Sequence, residues 1–277
     1  MSTAPKTSVN YCYRHPDRQS FVLCQRCGRT ICPQCQTQAA VGVHCPECVK
    51  EARGSQPRAT SGLARVLRPG NTTPIVTWSI IALCVIVWLL QILPGSPVTQ
   101  ALIYYPPFTY TQPWRMITSV FAHSPSSILH ILFNMFSLFV VGPLVETMLG
   151  RARYLALFLI TGFAGSVAVL LLAPGTPVLG ASGAIFGLLG AFFVISRKLG
   201  GNSTQLLIII VLNLAIGFLP GTNVAWQAHL GGVIVGAALG LIYLATRRRN
   251  QRMLQVLSVI GVFVALVAIT LVRLFAL

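Results

Sequence analysis

Two sets of residues in this sequence have the types and spacing to do chemistry. Near the N-terminus stand four pairs with a two-residue gap: Cys12-x-x-His15, Cys24-x-x-Cys27, Cys32-x-x-Cys35 and Cys45-x-x-Cys48. Such a gap lets one turn aim both donors at a single metal, and eight donors suffice for two tetrahedral zinc ions. Pairs one and three on one ion, with two and four on the other, is an arrangement that the short step from Cys27 to Cys32 allows. The second set lies far downstream, within apolar stretches: His130-x-x-x-Asn134, Gly180-Ala181-Ser182-Gly183 and Ala228-His229-Leu230-Gly231-Gly232. A serine hydroxyl is a weak nucleophile until a base takes its proton, and a neutral imidazole is such a base.

The elements that must position these groups follow from composition. Of 277 residues, 55% are hydrophobic and only 9% charged, with a net charge of +16. A soluble domain carries about 25% charged residues, so the chain is expected to be an all-α integral membrane protein with a small polar head. Apolar runs of about 20 residues are needed to span a bilayer. Seven helices are predicted, near 74–93, 127–148, 152–173, 181–197, 204–219, 225–246 and 254–276. The expected domains are a zinc-binding head at 1–52, a basic linker at 53–73, a membrane core at 74–250 and the added helix at 251–277. Residues 1–70 hold no apolar core of signal-peptide length, which places the cysteines in the cytosol. There, paired thiols mean metal more often than disulfide.

Charges orient the spans. Arg53, Arg58, Arg65 and Arg68 precede the first, and Arg151, Arg153, Arg197, Lys198, Arg247, Arg248, Arg249 and Arg252 fall on the same side of the predicted topology, against Arg115 and Arg273 on the other. This bias puts the N-terminus in the cytoplasm and the C-terminus outside, in the plasma membrane. The same cations are expected to serve topology and lipid headgroups, with no nucleic-acid partner.

In that topology Ser182, His229, His130 and Asn134 come from three helices and share one depth, in the outer half. Glycines indicate which helices touch: Gly183, Gly187 and Gly190 on one, Gly232, Gly236 and Gly240 on another, both faces permitting close backbone approach. Sealing them together brings hydroxyl and imidazole within reach. Only four acidic residues exist, Asp17, Glu47, Glu51 and Glu146. Glu146 lies sixteen residues past His130, about 24 Å away along a helix, so no carboxylate completes a triad. A two-aspartate protease is excluded, and a carboxylate proton relay finds no residues. Ser182 and His229 are therefore expected to act as a dyad, with Phe186, one turn below Ser182, stacked on the imidazole. Donors for the oxyanion would be the Ser182 amide, His130 and Asn134.

These motifs together resemble the rhomboid intramembrane serine proteases. The resemblance covers about residues 74–250 and rests on Trp114-Arg115, His130-x-x-x-Asn134, Gly180-x-Ser182-Gly183 and Ala228-His229-x-x-Gly232 in the family's order. It implies cleavage of transmembrane proteins near the outer surface by a Ser182–His229 dyad, supported by Gly180, Gly183, Phe186 and Gly232, with no catalytic cofactor. It further implies an oxyanion site at His130, Asn134 and the Ser182 amide, a membrane-embedded first loop, and structural roles for Trp114, Arg115 and Glu146. The family often has tyrosine where Phe186 stands, so a hydroxyl is missing here. The head resembles a B-box-like zinc finger and the N-terminal modules of some actinobacterial rhomboids.

Other readings remain open at this point. For the cysteines, the alternative to metal is a disulfide or redox cluster, and His44 is a ninth donor read as a spare. A non-catalytic rhomboid-like binder of membrane proteins is the alternative function, and a transporter would need coupling carboxylates or an inverted repeat. The head is read either as a docking domain for a cytosolic protein or as a stabiliser without ligand. His123 is assigned to the first loop with no chemical role.

Overall fold

The computed structural model describes residues 10–39, 41–55, 73–217 and 224–275, so most of the predicted linker and the end of the fifth predicted span lie outside the described residues. The chain divides into two compact units, split between residues 60 and 61, and each is described by itself.

The head is two small antiparallel hairpins and a helix. Strands β1 (Tyr11–Cys12) and β2 (His15–Gln19) pair, as do β3 (Thr37–Gln38) and β4 (Val43–His44), and α1 (Pro46–Ser55) follows. Among the described residues its buried apolar cluster consists of Ile31 and six cysteines, with Tyr13 and Val43 packed against it. One buried isoleucine contributes about 1.5–3 kcal/mol, far too little to fix the chain, so the cysteine side chains must supply the rest.

The second unit is helical: α2 (Ile75–Gln91), α3 (Val98–Leu102), α4 (Arg115–Thr118), α5 (Ile128–Leu149), α6 (Arg151–Leu172), α7 (Ser182–Lys198), α8 (Thr204–Ile216), α9 (Trp226–Ala245) and α10 (Arg252–Phe275). Four helices among the described residues are long and apolar enough to cross a membrane, namely α5, α6, α9 and the last, which counts from Arg249. Helices α2 and α8 are apolar but shorter. Large apolar side chains point outward on these helices, among them Ile86, Phe133, Phe136, Leu212 and Val264, as a multi-pass membrane protein requires of its lipid-facing surface. Basic residues mark the start of α6 at Arg151, the end of α7 at Arg197 and Lys198, and the start of α10 at Arg252. At the α5–α6 corner, Gly150 takes φ +82° and donates its N–H to Glu146 O at 2.8 Å, a left-handed stop that suits glycine.

Glu146, buried near the end of α5, caps a different helix. Its carboxylate accepts from the Val76 N–H at 3.0 Å, the Thr77 N–H at 2.7 Å and the Thr77 hydroxyl at 2.7 Å. The first turn of a helix leaves N–H groups without partners and carries positive partial charge, so the acid both satisfies and neutralises the start of α2.

The core is α6, α7 and α9, joined through glycine. A methyl group on Gly232 would collide with the Gly183 carbonyl, and one on Gly236 with the Gly187 carbonyl. On Gly240 it would stand 3.0 Å from Ala191 Cα. From α6, Gly165 lies so close to Ala228 that a methyl would reach its carbonyl oxygen at 3.1 Å. Backbones this close gain dispersion and weak C–H···O contacts and leave no room for a side chain. Gly232→Ala should therefore push α9 away from α7 and cost about 1–3 kcal/mol through overpacking. The check is the midpoint of detergent-induced unfolding; an unshifted midpoint would contradict the packing described.

Helix α10 is tied on at one end. Arg153 Nε donates to Gln255 Oε1 at 2.6 Å, and Gln255 Nε2 donates to Thr246 Oγ1 at 2.8 Å and Thr246 O at 3.2 Å. Along the helix, Phe263 packs on Phe163 with ring centroids 5.5 Å apart.

Candidate functional site

The segment before α7 is stitched to the loop between α2 and α5. Tyr104 and Val178 exchange backbone hydrogen bonds at 3.0 and 2.8 Å, and the Gly180 N–H donates to Ser119 O at 2.9 Å. This loop contains α3, α4 and two single 3-10 turns. It is held from the other side by α2: Trp88 Nε1 donates to Ser124 O at 3.2 Å, and Gln91 Oε1 accepts the His123 N–H at 2.9 Å. The path to Ser182 is thus fixed from both directions.

Gly180 is required twice over. Its φ of +122° excludes an ordinary L side chain, and a methyl there would stand 2.8 Å from His130 Nε2 and 4.0 Å from Ser182 Oγ. The same small space is therefore bordered by the hydroxyl and by the imidazole of α5. Ser182, half-buried, opens α7, where the first-turn N–H groups lack intrahelical partners. One turn on, Phe186 stacks on the His229 ring with centroids 4.1 Å apart and an interplanar angle of 9°. His229 is 7% exposed, and its Nδ1 has no hydrogen-bond partner among the described residues. With Gly183 against Ala228 and Gly232 against Gly183, the residues flanking Ser182 and His229 are in backbone contact.

His130 Nδ1 accepts the Ser124 N–H at 3.2 Å. In a neutral ring that leaves the proton on Nε2, the nitrogen beside Gly180. Asn134 is buried, with Nδ2 donating to His130 O at 2.8 Å and Oδ1 without a partner among the described residues. One Asn134 amide proton is therefore committed to its own helix, which the sequence did not reveal.

Other predicted residues lie away from this space. Glu146 belongs to the cap on α2. Trp114 is exposed, and Arg115 Nη1 donates to Ile103 O at 3.3 Å within the loop. His123 lies in the loop, as expected. It is fully buried, its ring lies 5.4 Å from that of His130, and neither ring nitrogen has a partner among the described residues. Burial, and then the neighbouring His130, push it down to about 4, so it is neutral at physiological pH. The only available signal was its position seven residues before His130.

In the head, the eight donors form two groups: Cys12, His15, Cys32 and Cys35, and Cys24, Cys27, Cys45 and Cys48, with ligand atoms within 4.8 Å of one another in each. His15 Nδ1 lies 3.7, 3.4 and 3.4 Å from the sulfurs of Cys12, Cys32 and Cys35, and Cys27 Sγ lies 3.7 Å from Cys45 Sγ. A tetrahedral zinc with Zn–S of about 2.3 Å and Zn–N of about 2.0 Å needs separations of about 3.5–3.8 Å, so both groups fit one such ion each. All eight cysteines are free thiols in this structure. Backbone N–H groups of Cys45 and Cys48 point at Cys24 Sγ and Cys45 Sγ at 3.2 and 3.4 Å. Burial, reinforced by neighbouring sulfurs, pushes Cys35 up to about 11 and Cys48 up to about 12. Crowded thiols of this kind gain from a cation. His44 belongs to neither group.

Ser182 and His130 border one space at Gly180, and His229 stacks on Phe186 of the helix that Ser182 opens. The Rhomboid domain family model matches residues 110–246. The chain is 37% identical over 186 residues to rhomboid protease GluP of Bacillus subtilis, covering 62% of this chain and 36% of that protein. It is 38% identical over 139 residues to RHOMBOID-like protein 1 of Arabidopsis thaliana, 47% of this chain and 34% of that one. With the putative rhomboid protease YdcA of Bacillus subtilis it shares 34% identity over 188 residues, 65% of this chain and 92% of that one. The chain belongs to the rhomboid family. It spans about a third of the length of GluP and of RHOMBOID-like protein 1.

Proposed function

We propose that this chain is an intramembrane serine endopeptidase that hydrolyses peptide bonds of transmembrane proteins. The observation that carries the reading is the stack of His229 on Phe186, four residues beyond Ser182 on the same helix. With no acid to hold the base, ring stacking and the Gly183–Gly232 seal orient it instead. In the proposed reaction His229 takes the Ser182 proton as Oγ bonds to the substrate carbonyl carbon, giving a tetrahedral oxyanion. The imidazolium then protonates the leaving amine as the C–N bond breaks. Water, deprotonated by His229, releases the acyl group and restores the hydroxyl.

Donors for the oxyanion are the Ser182 N–H, His130 Nε2–H and the second Asn134 amide proton. Support comes from the Ser124 bond that fixes the His130 tautomer and from the space the two share at Gly180. His130→Ala should lower kcat by about 10²–10³ with KM little changed, as removal of one oxyanion donor does. A rise in KM alone would assign His130 to substrate binding instead.

Six helices of the core and α10 are proposed as seven spans, with basic ends facing the cytoplasm and Ser182 towards the outer face of the plasma membrane. A substrate helix must unwind there, since an intact helix keeps its carbonyls engaged. The head, at 1–52, is proposed to hold two structural zinc ions and to be available to a cytosolic protein, joined to the core by the linker at 53–73. Incubation of the purified chain with a transmembrane reporter in liposomes tests the activity: a defined cut in the reporter supports it, and an intact reporter contradicts it.

A further inference from the structure

Among the described residues Arg115 has no ion-pair partner. The only side-chain carboxylate after residue 51 is Glu146, and it is engaged by Val76 and Thr77. Of the guanidinium's five N–H donors, Nη1 serves Ile103 O, while Nε is buried with no partner among the described residues. The side chain lines an open cavity of about 370 Å³, whose walls also include Gln100, Tyr105, Gly175 and Pro177. One wall is therefore the loop between α2 and α5, and the other is the turn between α6 and α7. Tyr110 and Trp114, 72% and 56% exposed, stand in the same loop, and exposed aromatics of this kind sit at the headgroup level of a bilayer.

A half-enclosed guanidinium at that depth, with an amide and a phenol beside it, selects a tetrahedral oxyanion. Arginine's planar fork matches phosphate geometry with two parallel hydrogen bonds. We infer that this cavity binds a phosphate group, carried by a membrane phospholipid or present as the free ion, with Arg115 as its charge partner. Gln100 and Tyr105 line the same cavity and carry an amide and a phenol able to donate. Pro177 adjoins Val178, which pairs with Tyr104 two residues before Gly180, so an occupied cavity braces the segment that leads to Ser182.

The test uses the full chain in detergent, followed by native mass spectrometry during titration with phosphatidylglycerol, and with diacylglycerol of the same chains. Arg115→Gln keeps a donor for Ile103 O but removes the charge. Gly175→Leu keeps the charge and fills the wall, where a Cβ meets nothing within 4 Å. One phosphatidylglycerol should be retained at least about tenfold more tightly than diacylglycerol, and both variants should erase that preference. Competition by inorganic phosphate would identify the free ion as sufficient, whereas its failure to compete would assign the site to the lipid. Equal retention of the two lipids, or a preference unchanged in the folded variants, overturns the inference. Should Arg115→Gln fail to fold, Gly175→Leu alone decides.

Discussion

Ser182→Ala and His229→Ala are each expected to lower reporter cleavage by about 10⁴-fold or more, with the double variant no worse than either single. Groups that act as one unit lose nearly everything when any member is removed, and their losses do not add. A packing role predicts a different pattern. Ser182 lies at the first turn of α7, half-buried, so its conversion to alanine removes one oxygen without adding volume and should leave stability within about 0.5 kcal/mol. Activity and stability must therefore separate at Ser182. At His229 they separate less completely, because its ring covers Phe186. Unchanged cleavage in either variant, with protein abundance and unfolding midpoint preserved, would remove the dyad and assign the hydrolysis to other residues.

Removal of metal from the head should have the second-largest effect. Structural zinc supplies on the order of 10–16 kcal/mol to small modules, whereas the head's described apolar cluster contains a single buried aliphatic residue, Ile31. Two zinc ions per chain are expected by elemental analysis of the purified protein. Cys12→Ser and Cys32→Ser should weaken the same ion although twenty residues separate them, and Cys24→Ser and Cys45→Ser should weaken the other. Cobalt substitution distinguishes the two, since a site of three thiolates and one imidazole differs in visible absorption from a site of four thiolates. Strong chelation should make residues 10–55 rapidly cleavable by added protease while the membrane unit stays intact. Weakening of one and the same ion by Cys12→Ser and by Cys24→Ser, or a protease-resistant head after chelation, contradicts the two clusters.

Much of this architecture was legible because lipid imposes simple rules. Long apolar runs, several with a basic residue at one end, give seven helices close to the observed bounds, although only four of the described ones reach spanning length. The glycine faces were readable because a small residue every four positions has one use, close backbone approach, and both lie beside residues of chemical interest. The interleaving of cysteine pairs could be listed but not chosen, since the gap lengths permit sequential pairing too. Other features were hidden for a physical reason. Helices α3 and α4 have five and four residues, too few to show any periodicity. Glu146 caps a helix that begins 71 positions earlier, through backbone N–H groups that carry no residue signature. His123 owes its burial to Gln91 on α2 and to the fold of the loop, and nothing in the local sequence records either. The commitment of Asn134 to His130 O is similarly a matter of rotamer.

Covalent trapping tests the central claim most directly. A fluorophosphonate offered to the purified, full-length protein should add to one residue, Ser182, identified by peptide mass mapping, and the adduct should fail to form in His229→Ala. A probe found on another serine, or one that labels Ser182 equally well without the imidazole, would contradict the assignment of His229 as the base.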